Sequence, residues 1–405
     1  MTQLARPGLP VLPAASALGG APTPPGDLRT GVSGMTGAEI SNWVAAQGEP
    51  AYRAKQIMDA VWSRLVRRTA EITTLPAPFR SAIDRDLRLS TLTDTEVRAS
   101  DGGLTEKRLH RLHDGQLIES VLMRYPARAG QRERNTLCIS SQAGCAVGCP
   151  FCATGELGFE RDLESAEIVD QARFWRHWLA GVGQRLTNVV FMGMGEPLLN
   201  TERVLEAAAA LTDNGRFGLG ARHITISTSG VVPGMERLIE EKPQYTLAVS
   251  LHAARPELRD VLVPLNRRYP VEQVVDAAVR YAATTGRRVT YEYVMIDGIN
   301  DTPEDAAALS RLIRGQNAHV NLIPMNPVAH TPWQPSTAAR TESFALALRT
   351  AGIGATVRRN RGVDIGAACG QLAADRAGAP APAAVARRRQ LLVVASAAAL
   401  ARGRS

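Results

Sequence analysis

Three cysteines crowd into eight positions, in the run Cys145-Ala-Val-Gly-Cys149-Pro-Phe-Cys152. Thiolates at this spacing on one tight loop can hold three irons of a 4Fe–4S cubane, whereas an electron-transfer ferredoxin cluster uses a fourth Cys. A missing fourth ligand leaves one iron open to bind something else. Two other readings compete. A structural zinc site needs four closed ligands, usually as two short Cys/His pairs. The remaining cysteines, Cys138 and Cys369, make no second pair, and no His pair has zinc spacing. Three merely buried cysteines at this density are the weaker alternative. The open cluster explains the spacing best.

Other candidate groups stand at the ends of apolar strand patterns. Gly193-Met-Gly195-Glu196-Pro197 imitates the start of a dinucleotide fingerprint, but Leu198 takes the third glycine's place and no Walker lysine follows. Alone it is a strand-to-helix turn; what it adds is Glu196, an acceptor able to hold a substrate ammonium. Ile224-Thr-Ile-Ser227-Thr-Ser-Gly230, Ser250-Leu251-His252 and Pro324-Met-Asn326-Pro327 are further polar strand ends. Singly each is an ordinary loop cap; together on one rim they suit a polar ligand bound across it. Cys369, in Gly362-Val-Asp-Ile-Gly-Ala-Ala-Cys369-Gly-Gln-Leu, reads in isolation as a small buried residue, as does Cys138. Glu119 by itself reads as a surface carboxylate.

The elements that must position these groups follow from hydrophobic periodicity. After Thr136, short apolar strands alternate with amphipathic helices: Asn188–Met192 then Glu202–Thr212, Ile224–Thr228 then Gly234–Glu241, Thr246–Leu251 then Val271–Thr285. Alternation of this kind predicts an α/β fold, with a parallel sheet that curls into a full or partial (β/α) barrel and ligands at the C-terminal strand ends. Five ranges result. A disordered leader covers 1–35, a small N-terminal helical domain 36–95 and a short β accessory segment 96–130. The core runs over 131–376, and a disordered Ala/Pro/Arg-rich tail over 377–405.

A chain of 405 residues, 45% hydrophobic, can bury a full core. Its formal charge of +8 suits a polyanionic partner. Only three of its 47 Lys and Arg cations are lysines (Lys55, Lys107, Lys242), a bias that dilutes the charge argument. Five scattered cysteines are no disulfide framework and fit a reduced cytoplasmic setting. The leader lacks the apolar core of a signal peptide, and Leu391–Leu400 is about half of a membrane span, so no membrane association is expected.

The cluster motif, with aromatic Phe151 just before its third Cys, resembles the radical SAM (S-adenosylmethionine) superfamily, and the core its partial barrel. The wider set resembles one branch, the RlmN/Cfr RNA methyltransferases, and RlmN more closely. The matching stretches are Thr136–Cys152, Asn188–Asn200, Ile226–Pro233, Ala248–Ala253, Pro264–Tyr269, Asn321–Pro327 and Gly362–Leu372. The solitary Cys in Ala-Ala-Cys-Gly-Gln is the most specific of them. Asp162 stands where that family has Asn.

The resemblance implies methylation of adenine carbon-2 in 23S rRNA and in tRNA beside the anticodon. That carbon is electron-poor and cannot attack the methyl of SAM directly, so the family takes a detour. Cys369 first accepts a methyl from one SAM as a thiolate nucleophile. A second SAM, on the open iron, is cleaved reductively to a 5′-deoxyadenosyl radical that removes a hydrogen from that methyl. The carbon then bonds to adenine, Glu119 takes the ring proton, and Cys138 attacks the sulfur of Cys369 to release product through a transient disulfide. Cys145, Cys149 and Cys152 would bind the cluster, and Gly195, Glu196, Ser227, Ser250, Leu251, His252 and Asn326 would bind SAM. A ferredoxin or flavodoxin would supply electrons to a monomer.

Three rivals remain at this point. The sister carbon-8 activity of the Cfr type shares the core motifs. A peptide maturase would carry more downstream cysteines than the single Cys369. A non-catalytic RNA-binding metalloprotein would leave the open ligand set and the polar rim unexplained.

Overall fold

The computed structural model of the chain describes residues 27, 29–127, 130, 132–329 and 331–373. Its frame is one ten-stranded sheet. We number the strands β1 (Thr93–Ser100), β2 (Thr105–Arg111), β3 (Leu117–Tyr125), β4 (Arg134–Cys138), β5 (Asn188–Phe191), β6 (Ile224–Thr228), β7 (Thr246–Ser250), β8 (Val289–Met295), β9 (Ala318–Pro324) and β10 (Gly354–Val357). Their spatial order is their order in the chain. β4 to β10 are all parallel, while β1 to β4 run as antiparallel neighbours. The first and last strands do not pair, so the curled sheet is a partial barrel.

Strands buried on both faces need near-continuous apolar sequence, and β8 has it: every residue of Val289–Met295 except Thr290 is buried. The covering helices bury one stripe each. Val271–Thr285 buries Val271, Val274, Val275, Ala278 and Tyr281, the three- and four-residue spacing of an amphipathic helix. At its last turn the Tyr281 hydroxyl donates to the Tyr245 carbonyl at 2.9 Å.

The segment expected as a short β accessory is no separate unit. β1, β2 and β3 extend the core sheet, because β3 pairs through Val121–Tyr125 with the whole of β4. The helix Ser165–Gly181 ties this extension and the N-terminal helices to the core. From it Trp175 Nε1 donates to Ser120 Oγ on β3 at 2.8 Å. Buried Arg173 donates to the carbonyls of Val61, Val66 and Leu89 at 2.9–3.2 Å, and Asp170 balances its charge. The N-terminal helices Gly37–Ala46, Tyr52–Met58 and Ala77–Asp86 pack behind it.

The leader ends sooner than residue 35. Residues 1–26 lie outside the described residues, but Thr30–Gly31 pairs with Leu87–Arg88, and Val32 and Ser33 are buried. The physical reason is contact: Val32 is apolar, and a Cβ at Gly31 would meet the Ala166 Cβ at 2.4 Å, so the chain lies directly on the Ser165–Gly181 helix. The expected tail, 377–405, lies wholly outside the described residues, as does Leu391–Leu400. No described helix is long and apolar enough to cross a membrane.

Candidate active site

The cysteine loop leaves the short strand Gln142–Gly144, which pairs with Phe159–Asp162. Cys145 N–H donates to the Gly158 carbonyl at 2.7 Å, and Cys152 N–H closes a turn on the Cys149 carbonyl at 3.1 Å. Gly155 lets the following helix sit on that turn, since a Cβ there would lie 3.0 Å from both Cys149 N and O. All three cysteines line a cavity at the C-terminal ends of the parallel strands.

Burial pushes the Cys145 thiol up to about 12, and burial likewise raises Cys149 and Cys152. Protonated thiols do not bind metal; a cationic iron cluster that displaces their protons fits such a set. A closed zinc site would need a fourth Cys or His ligand, and the residues lining the cavity beside the three cysteines supply only Cys369 and His252 as further candidates.

The rim is stitched from strand ends. A Cβ at Gly193 would lie 2.5 Å from the Ile139 carbonyl oxygen, and Gly195, at φ +99°, packs on Gln142. Gln142 Oε1 accepts from Glu196 N–H at 2.8 Å. The Glu196 carboxylate accepts from Ser229 N–H (2.7 Å), Ser229 Oγ (2.8 Å) and Leu198 N–H (3.0 Å). Burial still holds its pKa above the ordinary range, which favours a cation at the cavity face.

His252 adopts φ +61°, which turns its ring into the cavity beside Phe151, with centroids 4.8 Å apart. Its Nδ1 accepts from Val294 N–H at 3.1 Å. Burial, then the Arg259 charge, lowers its pKa to about 3, so the ring is neutral with Nε2–H as donor.

Asn326 donates through Nδ2 to the Cys369 carbonyl at 2.9 Å, while its Oδ1 is buried without a partner. That is an unspent acceptor in a ligand cavity. Gly195, Glu196, Ser227, Ser250, His252 and Asn326 therefore share the cavity with the three cysteines. Leu251 does not. Its side chain is fully buried, its N–H donates to the Glu292 carbonyl at 3.0 Å, and its own carbonyl accepts from Arg259 at 3.1 Å. Both of its backbone polar groups are thus engaged within the protein.

Cys369, itself exposed, lines this cavity and also a second, smaller one. Buried Cys138, one residue past which the chain leaves β4, lines the second. Burial and then the nearby Cys369 charge raise the Cys138 pKa far above its usual range. The Arg358 guanidinium is raised in turn, first by the Cys369 thiolate. The two sulfurs and one cation thus meet at a common wall.

Glu119 lines neither cavity. Its carboxylate is buried on β3, paired with Lys107 Nζ at 2.7 Å, and accepts from Ala373 N–H at 2.9 Å. Lys107 also donates to the Gly366 carbonyl at 3.2 Å. As placed, the pair clamps both ends of the Cys369 loop. On the opposite side Ala153 N–H donates to the Gly370 carbonyl and Thr154 Oγ1 to the Leu372 carbonyl, both at 2.7 Å.

Sequence reasoning missed several contributors. Glu292 lines the main cavity from the middle of β8; one carboxylate inside Tyr-Glu-Tyr, a buried apolar run, was its signal. Arg259, fully buried, donates to the carbonyls of Ser229 and Leu251 and to Asn266 Oδ1. It ties the ends of β6 and β7 together, and nothing in its local sequence marks it.

Comparison with known proteins agrees with this geometry. The Radical SAM superfamily model matches residues 139–310. The probable dual-specificity RNA methyltransferase RlmN of Salinispora tropica is 49% identical over 342 residues, covering 82% of this chain and 89% of that one. Its counterpart from Thermobifida fusca is 50% identical over 341 residues, covering 82% and 92%. The crystal structure of a radical SAM methyltransferase from Sphaerobacter thermophilus superposes with a TM-score of 0.82 at 46% identity, covering 85% of this chain and 100% of that one.

Proposed function

The chain belongs to the RlmN family of radical SAM RNA methyltransferases, and from that premise we propose that it methylates carbon-2 of an adenine in 23S rRNA and in tRNA. One observation carries the reading: Cys369 lines both cavities, so one sulfur faces the cysteine loop on one side and Cys138 on the other. A methyl carrier needs that double access.

Cys145, Cys149 and Cys152 would hold the 4Fe–4S cluster, which would supply one-electron reducing chemistry toward SAM bound in the same cavity. Glu196 takes the SAM ammonium. His252 donates from Nε2, and Asn326 offers its free Oδ1. Cys369 attacks the SAM methyl as a thiolate, with Arg358 balancing its charge. Cys138 later attacks the Cys369 sulfur, forming a disulfide and expelling the methylated base, and its burial keeps it protonated until then. Proton removal by Glu119 requires Ala373 to leave its carboxylate, so that base acts only with the Cys369 loop drawn back. Electrons come from a flavodoxin or ferredoxin, and the protein works as a cytoplasmic monomer, where thiols stay reduced.

The test is mass spectrometry of nucleosides from rRNA and tRNA after deletion of the gene. Loss of 2-methyladenosine, restored by the wild-type gene and not by Cys369→Ala, is expected. Loss of 8-methyladenosine instead, or no loss in either RNA, overturns the reading.

A further inference from the structure

Several arginines on the surface of this protein are already committed. Arg203, Arg237, Arg280 and Arg349 each pair with a Glu or Asp at 3.2 Å or closer. One group differs. Arg134 opens β4 directly opposite Tyr125, the last residue of β3, and its guanidinium carbon lies 4.2 Å from the Tyr125 ring centroid. Arg361 approaches the same ring at 4.4 Å and is fixed by donation to the Arg124 carbonyl at 3.0 Å. Arg359 is exposed beside them. Among the described residues, none of these three guanidiniums has a carboxylate partner. Tyr125, Arg359 and Arg361 line the second cavity, whose inner wall carries Cys138 and Cys369.

Resting on the function proposed above, we propose that Arg134, Arg359 and Arg361, set around Tyr125, form the site that grips the phosphodiester backbone flanking the target adenosine. The chemistry follows from the cavity's position. A base that bonds to the Cys369 methyl must leave its stack and enter beside the two sulfurs, and an extruded base presents its flanking phosphates at the pocket mouth. Guanidiniums are suited to phosphate oxygens through their planar fork. Tyr125 keeps two of them extended by cation–π contact, lowering the entropy lost on binding. An acidic redox protein would also like this charge. It is disfavoured here because the arginines border the chamber of Cys138 and Cys369, not the loop of Cys145, Cys149 and Cys152.

The decisive variant is Arg134→Gln/Arg359→Gln/Arg361→Gln, with Arg203→Gln/Arg237→Gln/Arg349→Gln as a control that removes equal charge from committed positions. Binding of an unmodified tRNA transcript is measured anaerobically across a salt series. Three lost phosphate contacts should weaken binding about tenfold or more at low salt and flatten the log–log salt slope by about 2. Peptide mass spectrometry should show the Cys369 methyl still installed by SAM. Equal losses in test and control, or an unchanged slope in the test variant, overturn the site. So does a slower reduction of the cluster by flavodoxin with RNA affinity intact, which would assign the patch to the redox partner. Failure of the wild type to gain the Cys369 methyl would instead strike at the proposed function, leaving RNA affinity as the separate readout for this site.

Discussion

The two chambers that meet at Cys369 are built on opposite principles. The chamber of Cys145, Cys149 and Cys152 is local and tightly bonded: its ligands share one loop, and buried side chains such as Gln142, Glu196 and Arg259 stitch its rim to neighbouring strand ends. The chamber of Cys138 and Cys369 joins the end of β4 to the last described loop of the chain, and side-chain clamps hold it. Dense local bonding suits a site that must keep a cluster and SAM in fixed register. A loop held by separable contacts suits a residue whose sulfur serves two partners in turn.

The sharpest way to break this contrast is Cys149→Ala. It should abolish iron binding and all turnover while leaving the fold in place; iron and sulfide analysis after anaerobic reconstitution checks it. Zinc in place of iron and sulfide in the wild type would sink the cluster assignment.

In the other chamber, Cys369→Ala should remove methyl transfer but keep full cluster content. Cys138→Ala should leave the enzyme joined to RNA, because a thioether bridge does not hydrolyse and needs a second thiol to take the sulfur. A denaturing gel shows the adduct as a nuclease-sensitive mass increase that vanishes when Cys369 is also replaced. Repeated turnover by Cys138→Ala without adduct would falsify its role.

The clamp is the next test. Lys107→Met strands the buried Glu119 carboxylate, a change worth about 3–5 kcal/mol when a buried pair loses one member. Limited proteolysis should then cut within 362–373 faster than in wild type, with the cluster spectrum unchanged. Equal protection of that loop would show that the clamp does not hold it.

The smallest effect concerns the chamber of the cysteine loop. Unfolded His titrates near 6.5, whereas burial and the Arg259 charge hold His252 at about 3 in the fold. Between those values only the unfolded chain takes up the proton. Stability therefore falls as pH drops below 6.5, by about 1.4 kcal/mol per unit. Anaerobic urea unfolding from pH 7 to pH 5 should show a shallower fall for His252→Asn than for wild type; identical slopes would contradict a buried neutral ring.

Legibility in the sequence follows the same divide. The cysteine loop could be read because its chemistry is contiguous, and the rim because an α/β sheet gathers polar strand ends at one edge. Leu251 lies between two cavity residues, and its side chain is buried in the core, a difference that no sequence spacing shows. Lys107 and Arg358 could not be read at all: on a strand or just past one, a lone cation looks like any solvated charge until its partner arrives from far along the chain. Gly31 and Gly34 resembled flexible leader, yet their missing side chains are what permit close packing on the Ser165–Gly181 helix.

The bonds from Ala153 and Thr154 to the Gly370 and Leu372 carbonyls set an order of assembly. Synthesis delivers the cysteine loop long before residue 370, so the loop first emerges with those two donors unpaired and its thiols uncovered on that side. The last described residues then cover that side, and they carry Cys369 with them. A chain cut short before Cys369 would therefore lose, in one stroke, the sulfur that the two chambers share and the cover of the cysteine loop.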